Sequence, residues 1–154
     1  MTVILDDHLL RDWMAGRDQA LVEALGGEPV ATTNLWYARL CKSAARATGG
    51  ALLRNMAAAE RRSLIASLVA LPADIVTLPL RDLAWGMGQL VADHQGLSTL
   101  GAEAVAAAVA LPGRLLVSQR DDGPGVRACA ESIGVTYVAL PVEPEGQAID
   151  ARVP

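Results

Sequence analysis

Short apolar runs alternate along this chain with longer stretches in which apolar residues recur every three or four positions. The first run, Val3–Leu5, leads straight into Asp6 and Asp7. Leu9, Leu10, Trp13 and Met14 then form one stripe, which predicts a helix from about His8 to Ala15, with Asp7 as a candidate cap and Gly16 as the stop. A second helix is expected from Asp18 to Leu25, ended by Gly26-Gly27. Pro29–Thr32 reads as a short strand, followed by a helix capped by Thr33 or Asn34 that runs to about Thr48. A helix over about Ala57–Leu71, closed by Pro72, precedes a third strand at Ile75–Leu78. The next helix, Arg81 to about His94, is expected to turn Leu83, Met87, Leu90 and Val91 inward. Ser98 or Thr99 caps a further helix ending before Pro112, and the nearly all-apolar Arg114–Ser118 reads as a central strand. Asp121-Asp122-Gly123-Pro124 opens a helix to about Ile133, and Thr136–Leu140 is the last strand.

Strands alternating with helices, with no hairpin signal, predict an α/β fold with a five-stranded parallel sheet covered on both faces. The expected domain spans 1–141, with a loose tail over 142–154. In such sheets the functional crevice lies at the carboxyl ends of the strands. That brings Asp6 and the segment Gln119–Asp122 into one neighbourhood.

Composition narrows the function classes. The chain has 154 residues, enough for a core of its own, and is rich in Ala, Leu and Val with no Phe. No apolar run is long enough to span a bilayer, and the opening MTVILDDHLL has neither a basic leader nor a small-residue cleavage site, so a cytoplasmic location is expected. Cys41 and Cys129 have no metal-type spacing and are expected to be reduced. A net charge of −4 argues against a surface coated for nucleic acid. The charge is uneven, however: Arg39, Lys42 and Arg46 share one helix face, either as a solvated face or as a contact for RNA phosphates or an acidic partner. Trp13, Trp36, Tyr37 and Trp85 fall at core-like positions.

The order of elements, VILDD at the start, the run TLPLRDLAWGMGQLVADHQGLSTLGAEAVAAAVALPGRLLVS and the close RACAESIGVTYVAL resemble the PIN domain, in the compact form of VapC-type toxins of bacterial toxin–antitoxin pairs. The resemblance implies a three-layer α/β/α fold and a ribonuclease that uses Mg²⁺ or Mn²⁺ held by clustered carboxylates. It also implies a homodimer and a protein antitoxin as partner. Such chemistry is coherent, because a divalent cation on oxygen ligands acts as a Lewis acid and lowers the pKa of its bound water.

Carried over position by position, Asp6 matches the family's first acid. The second acid has no counterpart in TTNLWYARL, and the third and fourth positions fall on Gly101 and Gln119. The neighbours that would compensate are Asp7, Asp121, Asp122 and Glu103. Each has an alternative role: Asp7, Asp121 and Asp122 as helix caps, and Glu103 as a first-turn acid lying about 200° around the helix from Gly101. Asp6 is either a ligand or a carboxylate held by backbone N–H groups. His8 is either a transition-metal ligand or a helix-start histidine, and His94 sits favourably near a helix C-terminus. The residues expected to carry function are therefore Asp6, Asp121 and Asp122 as catalytic groups, with Asp7 and Glu103 as further metal ligands. Arg39, Lys42 and Arg46 are expected to contact RNA or a partner. The alternative is a PIN-like protein without catalysis that binds RNA or protein.

Overall fold

A computed structural model of the protein describes residues 1–141; the expected tail, 142–154, lies outside the described residues. The elements, in chain order, are β1 (Thr2–Leu5), α1 (Asp7–Ala15), α2 (Gln19–Leu25), β2 (Val30–Thr32), α3 (Asn34–Ala44), α4 (Gly50–Leu53), α5 (Ala58–Val69), α6 (Leu80–Asp93), α7 (Thr99–Ala110), β3 (Gly113–Ser118), α8 (Pro124–Ser132) and β4 (Tyr137–Leu140). The sheet is parallel throughout and ordered β2-β1-β3-β4, with Leu5 opposite both Thr32 and Leu116.

Alternation along the strands builds two cores. Ile4, Ala31, Leu115 and Val117 face Leu83 and Met87 of α6, the alanines of α7, and Cys129 and Ala130 of α8. Val3, Leu5, Val30 and Leu116 face Leu9 and Leu10 of α1, Leu21 of α2, Leu40 of α3 and Leu64 of α5. A sheet buried on both faces needs apolar residues at its central positions, which is why Val3–Leu5 of β1 and Leu115–Val117 of β3 read as unbroken apolar runs.

Among the described residues the sheet has four strands, not five. Ile75–Leu78 contributes only one bridge, Val76 to Ala31. Thr32 N–H donates to the Val76 carbonyl at 3.0 Å, and Val76 N–H to the Val30 carbonyl at 2.9 Å. Beyond that point the Leu78 carbonyl accepts from Asn34 Nδ2 at 2.8 Å instead of from a strand. Pro79 follows and starts α6, and β2 is itself only three residues long, so little ladder is left to extend.

Other expectations also shift. α3 stops at Ala44, and the short α4 follows, with Gly49 in the left-handed conformation at its start. Trp85 is 81% exposed and Val91 44% exposed, because α6 buries only the stripe through Leu83 and Met87. Trp36 is buried as expected. Among the described residues no helix is long and apolar enough to cross a membrane.

Candidate functional site

The carboxyl ends of β1 and β3 lie side by side; Asp6 and Asp7 follow β1 directly, and Asp121 and Asp122 follow β3 after Gln119 and Arg120. Asp6 continues the ladder, its N–H donating to the Leu116 carbonyl at 3.3 Å. Its side chain is fully buried and accepts from Leu9 N–H at 2.8 Å and Ser118 N–H at 2.6 Å. Asp6 is therefore the N-cap of α1, and the expectation that Asp7 caps this helix is corrected. One carboxylate oxygen satisfies a free amide of the helix and the other staples β3 to β1. Burial pushes its pKa up to about 7, against the pull of those two amides.

Asp7 is the first residue inside α1 and is fully buried. Neither of its carboxylate oxygens has a hydrogen-bond partner. Burial, together with the adjacent Asp121 carboxyl, raises its pKa to about 8. His8 is 8% exposed, and its Nδ1 also lacks a partner. Burial lowers the His8 pKa, favouring neutral imidazole. Asp121 reaches the cluster because the chain folds back after β3: its N–H donates to the Ser118 carbonyl at 2.9 Å, while Arg120 N–H donates to Ser118 Oγ at 3.1 Å. Ligand atoms of Asp7, His8 and Asp121 all lie within 4.8 Å of one another.

Arg39, on α3, closes the group. Its Nε lies 2.9 Å from Asp7 Oδ2 and its Nη2 lies 3.3 Å from Asp121 Oδ2. Both approaches are charge contacts without hydrogen-bond alignment, which leaves those oxygens unsatisfied by direct bonds. The Arg39 side chain is 42% exposed, so it reaches the acids from the solvent side. Lys42 and Arg46 stay exposed, Arg46 just past the end of α3. Leu35, Ala38, Arg39 and Lys42 form one wall of an open groove of about 510 Å³, with Ser98, Thr99 and Leu100 opposite.

The remaining candidates serve elsewhere. Asp122 is exposed and accepts from Arg127 Nη2 at 2.7 Å and from the Tyr137 hydroxyl at 3.0 Å. The Arg127 hydrogen bond, with help from Tyr137, holds its pKa below the ordinary value. Neither Asp121 nor Asp122 caps α8; Gly123 stands at the N-cap with no side-chain bond, and Pro124 follows. Glu103 is fully buried and directed at the start of α3, where it accepts from Asn34 N–H at 2.9 Å, Asn34 Nδ2 at 2.7 Å and Leu35 N–H at 2.9 Å. It is neither a simple first-turn acid nor a member of the Asp7 cluster. It caps a helix 69 residues away in sequence.

Gly101 and Gln119, two of the positions where the resemblance led one to expect an acid, have local structural roles. A Cβ on Gly101 would run into Val126 of α8, so α7 and α8 pack closely at that point. Gln119 is exposed, with its N–H donating to the Leu140 carbonyl at 2.9 Å.

Asp7, His8 and Asp121 fit a divalent cation: two carboxylates and one imidazole whose ligand atoms lie close together, each residue also carrying a buried atom without a hydrogen-bond partner. The sequence had Asp7 and Asp121 among the expected ligands and offered His8 as a transition-metal ligand only as one of two alternatives. Its signal was adjacency to Asp7 at the head of a helix. Compared with known proteins, the chain matches no family model and no curated relative.

Proposed function

We propose that the chain is a PIN-like, metal-dependent phosphodiesterase acting on RNA, with its cation held by Asp7, His8 and Asp121. One observation carries the reading: buried, unsatisfied acid oxygens and an imidazole nitrogen gather at the carboxyl ends of two central parallel strands. A bound Mg²⁺ or Mn²⁺ supplies Lewis acidity and an activated water. Asp6 keeps Asp7 and His8 in place by fixing the first turn of α1 to β3. Arg39 stands at the mouth with a cationic group suited to a phosphodiester oxygen. Lys42 on α3 and Arg46 just past its end extend positive charge outward for the RNA backbone. A homodimer and an antitoxin partner belong to this reading by family resemblance.

The test is cleavage of a mixed RNA pool in Mn²⁺ by the wild type, Asp7→Ala and Asp121→Ala. Cutting by the wild type and its loss in both variants is the expected result. Absence of cutting by the wild type overturns the proposal.

A second reading has its own support. Arg39 already places positive charge between Asp7 and Asp121, as a resident substitute for a metal. In that case the protein binds RNA or a protein partner without cleaving it, using the groove beside Arg39 and Lys42. Salt-sensitive RNA binding without cleavage, weakened by Lys42→Ser and Arg46→Ser, distinguishes it from the first.

A further inference from the structure

We propose that the Asp7–His8–Asp121 cluster selects a borderline transition cation, with Zn²⁺ bound more tightly than Mn²⁺ and both more tightly than Mg²⁺, and that Arg39 is the counter-ion such a cation displaces. The inference deepens the cation-site reading above and rests on it for the location, but it does not depend on RNA cleavage.

The donor set carries the selectivity. The PIN resemblance implies an all-carboxylate site for a hard cation, whereas this cluster puts an imidazole among its three donors. Imidazole suits Zn²⁺ and related cations, while Mg²⁺ prefers oxygen in near-ideal octahedral order and gives up its waters reluctantly. The carboxylates that would suit Mg²⁺ are engaged elsewhere. Both Asp6 oxygens accept backbone amides, Glu103 caps α3, and Asp122 is paired with Arg127.

Burial supplies a second, independent observation. Asp7 is 0% and His8 8% exposed, and the Asp7 oxygens and His8 Nδ1 have no hydrogen-bond partner. A buried polar atom without a partner is costly, and here such atoms belong to adjacent residues whose ligand atoms, with one from Asp121, lie within 4.8 Å of one another. Arg39 offsets charge from the open side without making aligned hydrogen bonds, and its side chain is 42% exposed, so it can swing out to solvent. A cation between Asp7 and Asp121 then leaves Arg39 free for an anion at the mouth.

Calorimetric titration of the full chain with Zn²⁺, Mn²⁺ or Mg²⁺ chloride alone tests the proposal. The expected result is one site, with Zn²⁺ about tenfold or more tighter than Mg²⁺. His8→Gln should weaken Zn²⁺ by about tenfold or more and leave Mg²⁺ little changed. Arg39→Gln should tighten both by removing the competing charge, and His94→Gln should change neither. Equal affinity for Zn²⁺ and Mg²⁺, or full Zn²⁺ affinity in His8→Gln, overturns the proposal. Should His8→Gln fail to fold by circular dichroism, the wild type with Mn²⁺ still decides: pulsed electron paramagnetic resonance should detect imidazole nitrogen coupling, and its absence overturns the site. Selective Zn²⁺ binding without RNA cleavage upholds the cation site and removes the nuclease reading. Mg²⁺-supported cleavage without Zn²⁺ preference does the reverse.

Discussion

Glu103 and Asp7 are both fully buried acids, and the two are treated in opposite ways. Glu103 meets three N–H donors at the start of α3, so its charge is spent on holding α7 against that helix. Asp7 meets no aligned donor, only another carboxyl and the flank of an arginine. A buried carboxylate surrounded by amides is a structural device, while one left unsatisfied beside a second acid is a candidate for binding or chemistry. The difference separates the acids that build this fold from those available for chemistry.

The largest way to break the comparison is Glu103→Ala. It strands the Asn34 and Leu35 donors and should cost about 3 kcal/mol in denaturant unfolding. A loss under about 1 kcal/mol would mean that Glu103 is not the structural member of the pair.

Gly101 comes next, because it bears on whether an acid could be placed at the start of α7. Alanine in a helix normally gains up to about 1 kcal/mol over glycine. Here the new Cβ meets Val126, so Gly101→Ala should instead lose about 1–2 kcal/mol, and Val126→Ala should recover much of it in the double variant. Gly101→Asp should be worse than Gly101→Ala. Full stability of Gly101→Asp would show that an acid can enter from α7 after all.

The third test uses pH. Asp6 and Asp7 have folded pKa values of about 7 and about 8, raised from 3.8. Between those limits the folded state binds more protons than the unfolded state. The contribution of these groups to stability is therefore complete near pH 4 and is lost as pH rises through 7 and 8. The groups facing Asp7 are Asp6, Asp121 and Arg39, with His8 alongside. Asp7→Asn removes the proton linkage at that position. It should melt about 3 °C above the wild type near pH 8, with the gap closing towards pH 4. Glu103→Gln, which disturbs a satisfied carboxylate, should not be stabilising at either pH.

The smallest effects belong to Lys42→Ser and Arg46→Ser. These exposed residues should change stability by no more than about 0.5 kcal/mol, so any loss of RNA affinity reads directly as lost phosphate contact.

What could be read in the sequence follows from the range of the interactions. β1, β3, β4 and most helices lie where apolar periodicity puts them, because periodicity is local. The third strand failed because its ladder depends on a three-residue neighbour and on Asn34 taking the Leu78 carbonyl. The cap of α1 moved by one residue, from Asp7 to Asp6, since both can serve and Ser118 across the sheet favours Asp6. Glu103 was expected among the metal ligands but turns to the start of α3, where its partners are 68 and 69 residues distant and carry no sequence signal. Arg39 read as one of three equivalent basic residues, yet it alone turns onto the acids. Trp85 read as core and is exposed, because an aromatic residue on a helix fixes no direction by itself.

The central claim is that the unsatisfied cluster around Asp7 awaits a cation, and thermal unfolding near pH 8 with and without Mn²⁺ tests it most directly. Saturating Mn²⁺, at about 100 times its dissociation constant, should stabilise the wild type by about 2.7 kcal/mol and raise its midpoint accordingly. Asp7→Asn should show little or no rise. No shift in the wild type, or an equal shift in Asp7→Asn, would contradict the account.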